Sequence, residues 1–136
     1  MLIDTNILVY AINDDSPKNK TAQLFLQEHI NSLTVAHQNI FEALRVLTHP
    51  NFTKPMKPNE AQEAIWTIVD ACKVIYPNNK THYLALEIIK ENNLFGNQIF
   101  DAYLAATVIS NNITTIATDN VKDFHKLGIK LINPFA

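Results

Sequence analysis

Leu2-Ile3-Asp4-Thr5-Asn6-Ile7-Leu8-Val9-Tyr10-Ala11 carries two structural signals joined by one carboxylate. Leu2–Ile3 is a short apolar stretch cut off by Asp4, the expected end of a buried strand. Ile7, Leu8, Tyr10 and Ala11 then recur at helical spacing, with Asp4 placed to cap them. A strand running into a helix through an acidic residue is a unit of an α/β fold, where ligands gather at the carboxyl ends of strands.

The alternation continues outward from this unit. Asn13-Asp14-Asp15-Ser16-Pro17 is a turn, with Pro17 near the start of a helix that should run to about Asn31 and bury Ala22, Phe25, Leu26 and Ile30. Residues 33–35 read as a second strand, and a helix follows from about Gln38 to Leu47, stopped at His49-Pro50. After a loop carrying Pro50, Pro55 and Pro58, Asn59 with Gln62 resembles a capping box ahead of the face Ala61, Ile65, Ile68, Val69. Residues 74–76 predict a third strand, 80–92 and 98–110 two helices separated by Gly96, and 114–117 a fourth strand. A short helical segment over 121–127 and a last strand over 130–132 close the chain.

Short apolar strands alternating with helices predict an α/β three-layer sandwich, in which a mainly parallel, twisted five-stranded sheet is flanked by helices. No repeat or linker divides the 136 residues, so one domain over 1–136 is expected.

With 47% hydrophobic and 18% charged residues the chain suits a compact globular protein. The net charge of −2 argues against a strong nonspecific nucleic-acid coat. Lys54, Lys57, Lys73, Lys80, Lys122, Lys126 and Lys130 can still face phosphates locally, and Arg45 is the only arginine. The single cysteine, Cys72, excludes an intramolecular disulfide, fits a reducing compartment, and has the apolar context of a buried thiol. Asp4 and Asn6 interrupt any signal-peptide pattern, and no window approaches a membrane span, so a soluble cytoplasmic protein is expected.

Four acidic residues stand out, each against a plainer reading. Asp4 and Asp119 both close strands and precede helical turns, so each could be only a cap. If their strands are neighbours, however, the carboxylates repel, and a bound Mg²⁺ or Mn²⁺ would offset that with a preference for hard oxygen ligands. Asn120 and Asp123 are alternative donors close by. Asp101 is the sharpest signal, because it falls among Leu104, Ala105 and Val108, with only Tyr103 and Thr107 near enough on the helix to pair. A carboxylate there is costly unless it is paired or coordinates something, or unless the helix starts late and Asp101 caps it. Glu42 points away from the face of Ile40, Leu44 and Leu47, which by pattern makes it a solvated glutamate paired with Arg45.

Rival chemistries lack their motifs. The five histidines show no zinc spacing, no serine has a nucleophile elbow, and there is no glycine-rich phosphate loop. Metal-assisted hydrolysis is what remains among common chemistries.

The opening decapeptide resembles the start of PIN-domain ribonucleases, specifically the VapC-like toxins of type II toxin–antitoxin pairs. Three further blocks resemble the same family in order: residues 41–50 (FEALRVLTHP), residues 96–106 (GNQIFDAYLAA), and residues 116–124 (IATDNVKDF), closed by residues 131–135 (LINPF). The resemblance spans nearly the whole chain. It implies a PIN-like sheet with Asp4, Glu42, Asp101 and an acidic residue near 119 meeting at the strand ends, which reverses the pattern-based reading of Glu42. Many members carry Thr-x-Asp after the fourth strand, whereas here Thr118 is followed by Asp119 and Asn120. Asp119 is the preferred fourth carboxylate, with Asn120 at the usual position and Asp123 assisting as the alternative.

The function this resemblance implies is RNA hydrolysis by metal-activated water. Asp4 and Asp101 would be the principal ligands of Mg²⁺ or Mn²⁺, Glu42 and Asp119 would complete the catalytic pocket, and Thr5, Asn6 and Thr118 would hold the ligands in place. The implied partners are structured RNA such as transfer RNA, a cognate antitoxin and a second copy of the chain. The competing expectations are a structure-specific DNA nuclease and a non-catalytic interaction domain that keeps Asp4 and Asp101 as caps.

Overall fold

A computed structural model describes all 136 residues. Five strands form one fully parallel sheet: β1 (Leu2–Ile3), β2 (Thr34–Ala36), β3 (Lys73–Ile75), β4 (Thr115–Ala117) and β5 (Lys130–Ile132), in the order β3-β2-β1-β4-β5. Between them run α1 (Thr5–Ile12), α2 (Asn19–Glu28), α3 (His37–Thr48), α4 (Pro58–Val69), α5 (Thr81–Asn92), α6 (Gln98–Ser110) and α7 (Val121–Phe124).

Successive strand residues face opposite ways, and the two cores follow from this. Ile3, Val35 and Ala117 pack with residues of α1, α2, α3 and α4, whereas Leu2, Ala36, Ile75 and Ile116 pack with residues of α5, α6 and α7. Leu2 and Ile3 are completely buried on opposite faces of the central strand. This is the three-layer α/β sandwich expected from the alternation, with its five strands in the expected places to within a residue.

Local details differ where local chemistry differs. The second helix stops at Glu28 instead of continuing to Asn31, because His29 leaves helical geometry with its Nδ1 on Phe25 O at 2.9 Å; Ile30, expected inside, is 45% exposed. The fourth helix starts two residues earlier than the Asn59–Gln62 capping box implies, with Lys57 as its N-cap and Pro58 in its first turn. Glu60 rather than Gln62 reaches back, accepting from Lys57 N–H at 3.4 Å. Cys72 donates to Ile68 O at 3.3 Å, and burial pushes its thiol up to about 11, which makes it unreactive at neutral pH. No helix is long and apolar enough to cross a membrane.

Candidate active site

Parallel pairing builds the site. Ile3 lies opposite Ala117, so Asp4 and Thr118 leave the sheet side by side at its carboxyl edge. The ladder carries on into them: Asp4 N–H donates to Ala117 O at 3.0 Å and Thr118 N–H to Ile132 O at 2.9 Å. Asp4 then caps α1, its Oδ1 accepting from Thr5 N–H at 2.8 Å.

The cap belongs to a larger network. Asp4 Oδ2 accepts from the completely buried Thr118 hydroxyl at 2.8 Å and from Asn6 Nδ2 at 3.4 Å. Thr118 Oγ1 itself accepts from Asn6 Nδ2 at 3.2 Å and from Asn120 N–H at 2.9 Å. One hydroxyl therefore ties α1, β4 and the turn after β4 to a single carboxylate.

Asn39, absent from the expected site, extends the network to α3. It is completely buried; its Oδ1 accepts from Ala36 N–H and its Nδ2 donates to Thr5 Oγ1, both at 3.1 Å. The signal for it was present in the sequence, since Asn39 shares a helical face with Ala43 and Leu47, and a buried amide there needs partners.

Asp101 lies half-buried in the first turn of α6. That helix begins at Gln98, so Asp101 is not its cap, and no hydrogen bond supports its carboxylate. Glu42, also half-buried, lines a cleft of about 680 Å³ together with Asp101, Asp123, Gln38, Phe100 and Arg45. It makes no ion pair with Arg45, the only cation lining that cleft. Asp123 holds its place through Asn120, whose side-chain amide donates to Asp123 Oδ2.

Asp119 does not join this group. Its carboxylate accepts from Tyr10 OH at 2.9 Å and pairs with Lys18, whose ammonium also lies 5.3 Å from the Tyr10 ring centre and 5.4 Å from that of Phe135. The Lys18 hydrogen bond holds the Asp119 carboxyl below the usual carboxylate range. The structure thus pairs Asp119 with a cation, whereas Asp123 lines the cleft with Asp101 and Glu42.

The titration behaviour follows from these surroundings. Burial, opposed by the Thr118 and Thr5 hydrogen bonds and reinforced by Glu42 and Asp123, raises Asp4 to about 6. Burial, then the charges of Asp123, Asp4 and Glu42, raises Asp101 to about 7. Like charges that disfavour one another's ionisation are relieved by a cation.

No three His, Cys, Asp or Glu side chains form a ready-made metal cage. The donor chemistry nevertheless fits Mg²⁺ or Mn²⁺: Mg²⁺ takes one or two carboxylates, keeps several waters and completes its shell with substrate phosphate oxygens. Asp4 and Asp101 are carboxylates of that kind, with two more at hand in Glu42 and Asp123.

A stability profile follows with a definite sign. Both raised groups bind protons more tightly in the folded chain, so their contribution is fully present below about 4 and is lost as pH rises through about 6 for Asp4 and about 7 for Asp101. For Asp4 alone the loss is of the order of ~3 kcal/mol. Asp119, lowered, acts in the opposite sense and below the ordinary carboxylate range, outside that window. Urea unfolding in EDTA should therefore show stability falling between pH ~4.5 and ~8, with Mg²⁺ restoring it most at the upper end. A profile that is flat in EDTA would remove the coupled-carboxylate account.

The family model described as PIN domain matches residues 1–130. The chain belongs to the PIN-domain family. Ribonuclease VapC24 of Mycobacterium tuberculosis is 29% identical to this PIN domain over 141 aligned positions, covering 96% of the chain and 92% of the relative. Its fold is similar to that of FitAcB from Neisseria gonorrhoeae, with a TM-score of 0.77 at 18% identity, covering 98% of this chain and 97% of that one. It also resembles VapBC2 from Rickettsia felis bound to a promoter DNA fragment, with a TM-score of 0.74 at 19% identity over 97% and 96% of the two chains. This PIN domain is homologous to the VapC ribonuclease toxins of type II toxin–antitoxin systems.

Proposed function

We propose that this PIN domain is a Mg²⁺- or Mn²⁺-dependent endoribonuclease, the toxin of a toxin–antitoxin pair, acting on structured RNA such as transfer RNA. The observation that carries this reading is the pair Asp4 and Asp101, each in the field of the other or of Glu42 and Asp123, with Glu42, Asp101 and Asp123 lining an open cleft. Asp4 and Asp101 would hold the ion. When bound, such an ion supplies charge neutralisation at the phosphate and a more acidic water.

The chain's own groups do the positioning. Thr5, Asn6 and Thr118 fix both oxygens of Asp4, so that carboxylate meets the substrate already oriented. Glu42 and Asp123 border the same cleft, where either can take the proton released by the attacking water. Arg45, at the cleft's border, faces the charge of the phosphodiester. The homology to VapC toxins also supports a cognate antitoxin that blocks the site and a homodimeric assembly.

The test is incubation of purified, antitoxin-free protein with total RNA and with single-stranded DNA, in Mn²⁺ and in EDTA. Cleavage of RNA that needs Mn²⁺ and disappears in both Asp4→Ala and Asp101→Ala is the expected result. Cleavage unchanged in those variants would overturn the assignment.

The fourth position has its own outcome. Asp123→Asn should reduce cleavage about 10- to 100-fold, the scale for a group that supports a metal site from outside its ligand set. Asp119→Asn should leave the rate within a few-fold of wild type and lower thermal stability in a salt-sensitive way, because it breaks a partly buried ion pair with Lys18. The reverse ranking of the two variants would return Asp119 to the site.

A further inference from the structure

Two neighbouring residues in the first turn of α3 reach the segments that carry Asp4 and Asp101, one on each side. Asn39 Nδ2 donates to Thr5 Oγ1 at 3.1 Å, and Thr5 is the residue after Asp4. Gln38 Nε2 donates to Phe100 O at 3.1 Å, and Phe100 is the residue before Asp101. Each is the one hydrogen bond that joins α3 to the helix concerned, α1 or α6. Glu42 follows one turn along the same helix.

The two links differ in kind. Asn39 is completely buried and also accepts from Ala36 N–H, so α3 is anchored on the Asp4 side. Gln38 is half-buried, lines the carboxylate cleft with Glu42 and Asp101, and alone spans to the first turn of α6.

Gln38 does not hold this place for stability. Its Oε1 is shut off from solvent and has no hydrogen-bond partner. A buried acceptor left unpaired costs more than a neutral hydrogen bond contributes. Phe100 does not need the bond either, because an α-helix pairs that carbonyl with the N–H four residues on. A side chain that weakens the fold and steadies the neighbour of Asp101 is in place for the site.

Asp101 needs support from outside. No hydrogen bond reaches its carboxylate, and Asp123, Asp4 and Glu42 all repel it. With Asp4 held by the network around Thr118, the placement of α6 sets the spacing of the two carboxylates. Mg²⁺ is strict about such spacing, because its shell is short and nearly octahedral.

We propose that Gln38 is a positioning residue. By tying the Phe100 carbonyl to α3, it fixes Asp101 relative to Asp4 and Glu42 and so sets the affinity of the site for a divalent ion. This rests on the ribonuclease reading for the choice of Asp4 and Asp101 as the ion's ligands.

The test is Gln38→Met, which keeps the length of the side chain and loses both polar atoms. Mn²⁺ binding is followed without RNA, from the free-ion signal in electron paramagnetic resonance. Affinity should fall about tenfold, the lower end for groups that orient ligands from outside the set. The metal-free variant should melt no lower than wild type, since the orphaned oxygen leaves together with the bond. The Asp101 amide shares a peptide group with the Phe100 carbonyl, so its NMR peak should move. In cleavage, the Mn²⁺ concentration for half-maximal rate should rise about tenfold, while saturating Mn²⁺ restores the rate to within a few-fold. KM for RNA should not change.

Wild-type affinity for Mn²⁺ in the variant would overturn the proposal. So would a metal-free variant that melts well below wild type, which would make Gln38 a structural strut. A raised KM for RNA at unaltered Mn²⁺ affinity would overturn it too, and make the side chain a substrate contact. The ribonuclease reading is scored separately. Lost Mn²⁺ affinity in a protein that cuts no RNA keeps the positioning role and removes the ribonuclease. Mn²⁺-dependent cleavage by wild type, with unaltered Mn²⁺ binding by the variant, does the reverse.

Discussion

Asp101→Asn is expected to abolish RNA cleavage and, in the same molecule, to stabilise the metal-free protein at pH ~8. Cleavage should fall at least about a thousandfold, the scale of losing several kcal/mol of charge stabilisation at the reacting phosphate. The stabilisation arises because Asp101 is half-buried, lacks any hydrogen bond to its carboxylate, and faces the charges of Asp123, Asp4 and Glu42. Asparagine keeps the shape and removes the charge.

The gain should be about 1–2 kcal/mol, discounted for the solvent that reaches this side chain. In melting temperature that is a few degrees. At pH ~4.5 the wild-type carboxyl is already neutral, so the two proteins should melt together. Added Mg²⁺ should stabilise wild type and not the variant. A variant less stable than wild type at pH ~8 would mean that Asp101 has a favourable partner in the fold, and the repulsion account would be wrong.

Thr118→Val should have the largest effect on stability of any isosteric change at the site. The hydroxyl donates to Asp4 and accepts from Asn6 and from Asn120 N–H, all without access to water at Thr118 itself. Valine fills the same space and satisfies none of the three. Leaving buried polar groups unpaired costs about 1–3 kcal/mol each, partly recovered where water reaches Asn120, so a total loss of about 2–4 kcal/mol is expected. That corresponds to a fall of roughly 10 °C in melting temperature.

Cleavage should drop about 10- to 100-fold, since Asp4 loses the bond that orients Oδ2 and favours its ionised form. Thr118→Ser, which keeps the hydroxyl, should recover most of both properties. Thermal denaturation and initial rates on the same preparations decide it. Native melting in Thr118→Val would show that the network contributes little.

The order of strands and helices was legible in the sequence because each rests on local periodicity. Leu2–Ile3 ends at Asp4 and the helical spacing begins at once, so the first unit could be read without knowing where its neighbours lie. A parallel sheet follows from the alternation of short apolar strands with helices, but that β1 lies beside β4 is not local and comes from the tertiary structure. Asp101 was visible as an unpartnered carboxylate among Leu104, Ala105 and Val108. Asn39 carried a similar signal on the face of Ala43 and Leu47.

What periodicity could not decide was which acidic residues share a field. Asp119 and Asp123 are four residues apart and look equally eligible. Asp119 is taken out of the group by Lys18 and Tyr10, which lie 101 and 109 residues away in the chain, and Asp123 is brought in by the placement of α7 against α6. Glu42 is a similar case, because a helical wheel records direction relative to its own helix and not the cleft across from it. The sequence alone determined the α/β order, the strand-end position of Asp4 and the anomaly at Asp101, since these depend on spacing along the chain. Only the tertiary structure decided which carboxylates share a field, since repulsion and ion pairing depend on distance in space: it pairs Asp119 with Lys18 and sets Asp123 beside Asp101 and Glu42.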